Sequence, residues 1–222
     1  EHVNESILRQ YQCMKARALK ENILRKMGRV LEAEELHKES LKIDPLYDRQ
    51  PEKINHNTLL ELMIDLYEAG DYAQGITLAE KWVEQQNVSR QEDIYPLVYY
   101  YIAYGYQNLY RKENTKQANC YMTMYVTLGE NAAADGCFPH RTEDYIVLKS
   151  LAEEYHLAMA YYYLGCLLYD RRAYGEAIAD YEEAALRYPD FPTVHRNLAL
   201  AYYNVKKQPQ RAYEEMEKAF AL

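Results

Sequence analysis

The stretch 158–191, AMAYYYLGCLLYDRRAYGEAIADYEEAALRYPDF, decides the fold. Within it Tyr161, Leu164, Gly165, Leu168, Ala177, Tyr181, Ala184 and Pro189 stand at the offsets of a helix-turn-helix unit of about 34 residues. Small residues at Gly165 and Ala177 let two antiparallel helices approach closely, while the large residues beside them fill the space between. Pro189 ends the second helix, because it cannot donate the next helical hydrogen bond.

Those eight spaced positions resemble a tetratricopeptide repeat, with Tyr161 and Tyr181 standing where the family carries other aromatics. The resemblance implies helical hairpins stacked into a right-handed superhelix. Residues 192–222 read as a further repeat through Leu198, Ala199, Tyr202, Ala212, Met216 and Ala219, with one extra residue in the turn around Lys206 to Gln210. A unit at 98–132 places Tyr101, Tyr104 and Gly105 on its first helix and Ala118, Met122 and Tyr125 on its second. Another, at 56–89, uses Leu59, Leu62, Leu66, Gly70, Gly75, Ala79 and Trp82. An N-terminal unit at 14–47 keeps Leu24, Ala33 and Pro45 but has Glu21 where a small residue is usual.

Asp48 to Asn55 and Arg90 to Leu97 read as polar surface connections. The longer spacer 133–157 has an N-cap at Thr142 and a helical apolar period through Tyr145, Ile146, Leu148 and Leu151, which predicts an extra helix near 142–155 between the third and fourth repeats. The expected fold is therefore all-α: a solenoid of five helical hairpins plus one extra helix, in a single domain over 1–222.

Net charge is −8, and no basic run interleaves with aromatics along a helix face, so nucleic acid is not expected as a partner. The most apolar stretch, 95–106, is far shorter than the roughly 20 residues of a bilayer span. The chain starts at Glu1 and stops before the proline expected in its last repeat, and it is read as a piece of a longer protein whose targeting segment lies elsewhere. A cytoplasmic location is expected, and the oligomeric state is left open. A second resemblance, carried by 136–141 (GCFPHR), 163–170 (YLGCLLYD) and 189–194 (PDFPTV), is to the C-terminal portion of large bacterial proteins that join an uncharacterised β-rich domain to tetratricopeptide repeats. It implies a missing N-terminal domain as an alternative partner.

Cys13, Cys120, Cys137 and Cys166 lack the spacing of a disulfide or zinc framework and read as reduced packing residues. Glu34 with His37, and Glu153 with His156, have the i, i+3 spacing of carboxylate–histidine metal ligands, but the pairs fall several helices apart. Cys137-x-x-His140 has no second pair to complete a zinc site. With no glycine-rich phosphate loop and no nucleophile turn, neither an enzyme nor a cofactor is expected.

Tyrosine is the anomaly, at 25 residues against 3 Phe and 1 Trp. Counted from the repeat starts, Tyr67, Tyr99, Tyr106, Tyr162, Tyr169 and Tyr203 fall on the concave side, and Tyr99, Tyr106, Tyr162, Tyr169 and Tyr203 with Arg196 are the six expected binding residues. Tyrosine gives a large rigid contact face at low rotamer cost, yet the same rings also suit half-buried seams between helices. The places at which chaperone-binding relatives grip a terminal carboxylate hold Ala18, Asn22, Leu60, Ile64, Tyr162 and Cys166, which do not suit that clamp. The expected function is a non-catalytic scaffold that binds a peptide, a protein or another part of its own chain. The alternative is an accessory region of a carbohydrate-active enzyme.

Overall fold

The computed structural model describes residues 14–43, 55–86, 94–110, 116–134 and 136–222. Cys13, Pro45 and most of the two short connections lie outside them, as do the side chains of Ala18, Asn22 and Ala118. The described residues form α-helices with no strand: α1 Met14–Lys26, α2 Val30–Ile43, α3 His56–Glu68, α4 Tyr72–Gln85, α5 Pro96–Leu109, α6 Lys116–Asn131, α7 Thr142–Tyr155, α8 Ala158–Asp170, α9 Tyr174–Arg187, α10 Pro192–Ala201 and α11 Pro209–Ala221. The fold is all-α and of tetratricopeptide type. Two compact units divide the chain, Glu1–Leu59 and Leu60–Leu222.

One turn recurs where a first helix meets its second. Arg29 N–H donates to Leu24 O at 2.9 Å, Asp71 N–H to Leu66 O at 2.8 Å and Ala173 N–H to Leu168 O at 2.9 Å. Each closes a Schellman motif whose penultimate residue is left-handed. Gly28 and Gly70 supply that conformation at φ 72° and 75°, whereas Arg172 adopts it at φ 63° without a glycine. In the last hairpin the acceptor is Tyr202 O and the donor Gln208 N–H, one residue further on, at 3.0 Å. Tyr202–Lys206 is a π-helical turn, which takes up the extra residue before Lys207 turns left-handed at φ 55°.

In the first unit, Leu24, Ala33 and Leu36 form the hairpin core. Glu21 is buried where a small residue was expected to stand. Its carboxylate accepts from Arg25 Nε and Nη2 at 3.2 Å and lies 3.2 Å from His37 Nδ1, so a polar pairing takes the place of close helix contact.

In the second unit the α8/α9 hairpin shows why Gly165 is small. A Cβ there would lie 2.5 Å from Cδ1 of Tyr181, so the ring occupies the volume a side chain would need. Gly75 does the same for Tyr67, with 2.5 Å to Cε1. Ile178, Tyr181 and Ala184 of α9 then close against Val194, Leu198, Ala201 and Tyr202 of α10, and Ala212 of α11 completes the cluster. Buried His195 ties this end together, with Nε2 2.8 Å from Pro189 O and Nδ1 2.6 Å from Glu215 Oε2.

The 98–132 register needs correction. Helix α5 starts at Pro96, inside the expected connection, and Pro is favoured at that first position. Tyr99 and Tyr106, with Ala103 between them, meet α6: Tyr99 stacks on Tyr125, and Tyr106 on Tyr121 and Tyr125. Tyr99, Ile102, Ala103 and Tyr106 thus play the parts that Tyr161, Leu164, Gly165 and Leu168 play in α8. Gly105 instead faces Tyr67 and Ile76 of the preceding hairpin.

Helix α7 is the extra helix, and it packs against α5 and α8. Its N-cap is not Thr142, which is already helical, but Arg141, and Asp144 at the third helical position closes the capping box. That fully buried carboxylate accepts from the backbone N–H of His140 and Arg141 at 2.9 Å each and from Tyr101 Oη at 2.8 Å. Glu130, at the end of α6, reaches past the insertion to the start of α8. It accepts from Met159 N–H at 3.1 Å and Ala160 N–H at 3.2 Å, and from Tyr100 Oη at 2.6 Å. A carboxylate at a helix N-terminus satisfies orphan donors and opposes the helix dipole favourably.

Candidate binding face

The six residues expected to bind fall into two environments. Tyr99 is 1% exposed and Tyr106 8%, so both rings belong to the core of the α5/α6 hairpin. The corrected register is the reason: two residues upstream, the concave positions become the aromatic packing positions. Tyr106 Oη donates to Glu80 Oε1 at 2.7 Å and Tyr125 Oη to the same oxygen at 2.9 Å, which satisfies both hydroxyls inside the stack. Burial, then these bonds to Glu80, raises both phenols well above their ordinary range.

Tyr162 and Tyr169 lie on α8, Arg196 on α10 and Tyr203 in the π-helical turn that follows it. The buried side of α10 carries Val194, Leu198 and Ala201. Its exposed side carries Arg196, Leu200 and Tyr203 at i, i+4 and i+7, one stripe along the helix. Tyr203 sits in the π-helical turn and is 63% exposed. Tyr162 and Tyr169 are half-buried and pack against the α9–α11 cluster. The Tyr162 ring meets Phe191 edge-on, centroids 4.9 Å apart, and Tyr169 meets Tyr174 edge-on at 5.0 Å. Asn197 lies beside them, its Nδ2 4.0 Å from Cys166 Sγ. Burial, with Cys166 adding to it, raises the Tyr162 hydroxyl, and Asn197 and the Arg196 charge pull the other way.

Burial pushes the Cys137 thiol up to about 12 and raises Cys166, which disfavours the thiolates that nucleophilic attack would need. Cys120 is exposed on α6 and is not the packing residue it was expected to be. Among the described residues no group of three or more His, Cys, Asp or Glu is placed to hold a metal, and His37 meets Glu21 rather than a metal partner. No helix of the described residues is long and apolar enough to cross a membrane.

Sequence reasoning missed three carboxylates that organise the unit: Glu80, Glu130 and Asp144. Asp144 had a readable signal, an acidic residue three places after the N-cap. Glu130 and Glu80 had none, because their partners lie 26 to 45 residues away.

No protein-family model matches the chain, and no curated protein matches it in sequence. Solved structures that are similar include one of MamA, 21% identical over 90% of this chain and 92% of that one, with TM-score 0.33. Another is MamA 41-end from Desulfovibrio magneticus RS-1, 17% identical over 94% of each chain, TM-score 0.36. A third is YrrB, titled a TPR protein with an unusual peptide-binding site, 14% identical over 100% of this chain and 92% of that one, TM-score 0.30. At that distance the assignment of fold rests on the hairpins themselves, on their Schellman turns and on the Gly165–Tyr181 and Gly75–Tyr67 contacts.

Proposed function

We propose that the chain is a non-catalytic interaction scaffold that holds a peptide or protein segment against the first helices of its last two hairpins. Tyr162, Tyr169, Arg196 and Tyr203 are the contact residues, and Tyr99 and Tyr106 hold the neighbouring hairpin rigid. The observation that carries this reading is the exposed stripe Arg196, Leu200, Tyr203 beside half-buried aromatics on α8. An arginine with tyrosines on a preformed helical surface is the residue mix that dominates interface energetics. Repeat arrays, moreover, use their stacked first helices as extended binding surfaces.

The test is a photocrosslinking residue placed at Leu200, with adducts compared between the otherwise unchanged chain and one carrying Arg196→Ala and Tyr203→Ala. A discrete adduct that vanishes in the double variant, with the helical signal intact, supports the proposal. An adduct indifferent to both substitutions contradicts it.

A further inference from the structure

Charge is segregated between the two helices of each of the last two hairpins, unlike in the α3/α4 hairpin, where α3 carries Glu61, Asp65 and Glu68. Helices α5, α8 and α10, with its π-helical end, hold one carboxylate between them, Asp170 at the last position of α8. Helices α9 and α11 alone hold seven. In a chain with 34 acidic residues against 26 basic, this leaves α5, α8 and α10 almost free of negative charge. Cations collect around the same elements: Arg196 on α10, Arg171 and Arg172 in the turn after α8, and Lys206 and Lys207 at the end of α10. Arg171 Nη2 is engaged by His140 O at 2.6 Å. Arg172, Arg196, Lys206 and Lys207 are exposed and make no ion pair among the described residues.

We infer that the occupant of this face is an acidic peptide segment, with apolar side chains set against Leu200, Tyr203 and the Tyr162 and Tyr169 rings and carboxylates directed at Arg196 and the basic turns. The inference rests on the binding face proposed above. Complementary charge selects partners chiefly by penalising wrong ones and speeding encounter. A basic segment gains nothing from a wall that offers it one carboxylate, and it meets unpaired cations at both turns. Arginine at the centre of the stripe suits a carboxylate because its planar fork donates two parallel hydrogen bonds. The acidic second helices have a matching effect: they repel the same segment from the other faces of the hairpins.

The experiment is a displayed library of random peptides of about 12 residues, long enough to span two hairpins in extended form, panned on the full chain. Selected sequences are then synthesised and measured against the parent and three folded variants: Arg196→Glu, Lys206→Glu with Lys207→Glu, and Tyr203→Ala. The inference expects sequences rich in Asp and Glu with apolar residues between, a loss of about tenfold or more on Arg196→Glu, and weakening by added salt. Selected peptides without acidic enrichment that still depend on Tyr203 overturn the acidic ligand and leave the face standing. Peptides indifferent to both Arg196→Glu and Tyr203→Ala, or no enrichment at all, overturn the face and the acidic ligand together.

Discussion

Helix α5 and helix α10 with its π-helical end are both the first helix of a hairpin, and both carry tyrosines, yet they use them in opposite ways. In α5 three of the five tyrosines donate to a carboxylate of another helix: Tyr106 to Glu80, Tyr100 to Glu130 and Tyr101 to Asp144. In α10 one ring, Tyr202, is closed in similarly, donating to Glu182 Oε1 at 2.5 Å, while Tyr203 next to it faces solvent. The difference teaches that a carboxylate reaching across from another helix helps to hold a tyrosine inside, although other buried rings manage without one: Tyr67 Oη donates to Tyr101 O, and fully buried Tyr163 has no carboxylate acceptor among the described residues. Burying a phenol without an acceptor costs free energy, and a carboxylate is a strong acceptor.

The largest effect should follow from breaking the closed-in region. Tyr106→Ala empties the centre of a stack of near-parallel rings and leaves Glu80 with one donor fewer, and a cost of about 3–5 kcal/mol is expected in denaturant unfolding. Asp144→Ala strands two backbone N–H groups and the Tyr101 hydroxyl, at a cost of about 3 kcal/mol or more, whereas Asp144→Asn, which keeps an acceptor, should lose less. Gly165→Ala drives a methyl to 2.5 Å from the Tyr181 ring and should cost about 1–3 kcal/mol. By contrast Gly175→Ala, with nothing within 4 Å, should be neutral or slightly stabilising.

A smaller effect of opposite sign is expected at Asp180, on α9. Burial raises its carboxyl from 3.8 to about 6, against the pull of Lys149 and with help from Glu176, Glu153 and Glu183. The native protein therefore holds its proton more tightly than the unfolded chain, and it loses stability as pH rises from about 4 through about 6. Asp180→Asn should be more stable than the parent above pH 6, by about 1 kcal/mol once solvent screening of this partly exposed site is allowed for, and the gain should vanish near pH 4. Thermal melts of both proteins across that range would show it. The smallest effect belongs to the open region: Tyr203→Ala should change stability by less than about 0.5 kcal/mol.

The sequence was most legible where one residue type fits one place. Gly165, Ala177, Tyr181 and Pro189 are small, aromatic or helix-ending for reasons that act within a single hairpin, and helices α8 and α9 meet at Gly165 and Tyr181. In α5 the reading slipped by two residues because six tyrosine and glycine positions between 99 and 106 offer several helical stripes at once. Only contacts with Tyr67, Ile76, Tyr121 and Tyr125, on other helices, choose among them. The expected contact residues divide in the same way: Arg196 and Tyr203 are exposed, whereas Tyr99 and Tyr106, read two residues out of register, are buried. The π-helical turn that carries Tyr203 had a sequence trace, the extra residue between Lys206 and Gln210, but nothing in the sequence said whether a loop or a helix would absorb it.

The division between closed and open tyrosines is tested most directly by nitration of the native chain with tetranitromethane, read residue by residue after digestion. Tyr203 should be modified early and Tyr99 and Tyr106 should resist until the protein unfolds, with Tyr162 and Tyr169 between them. Modification of Tyr99 or Tyr106 at the rate of Tyr203 in folded protein would contradict the account.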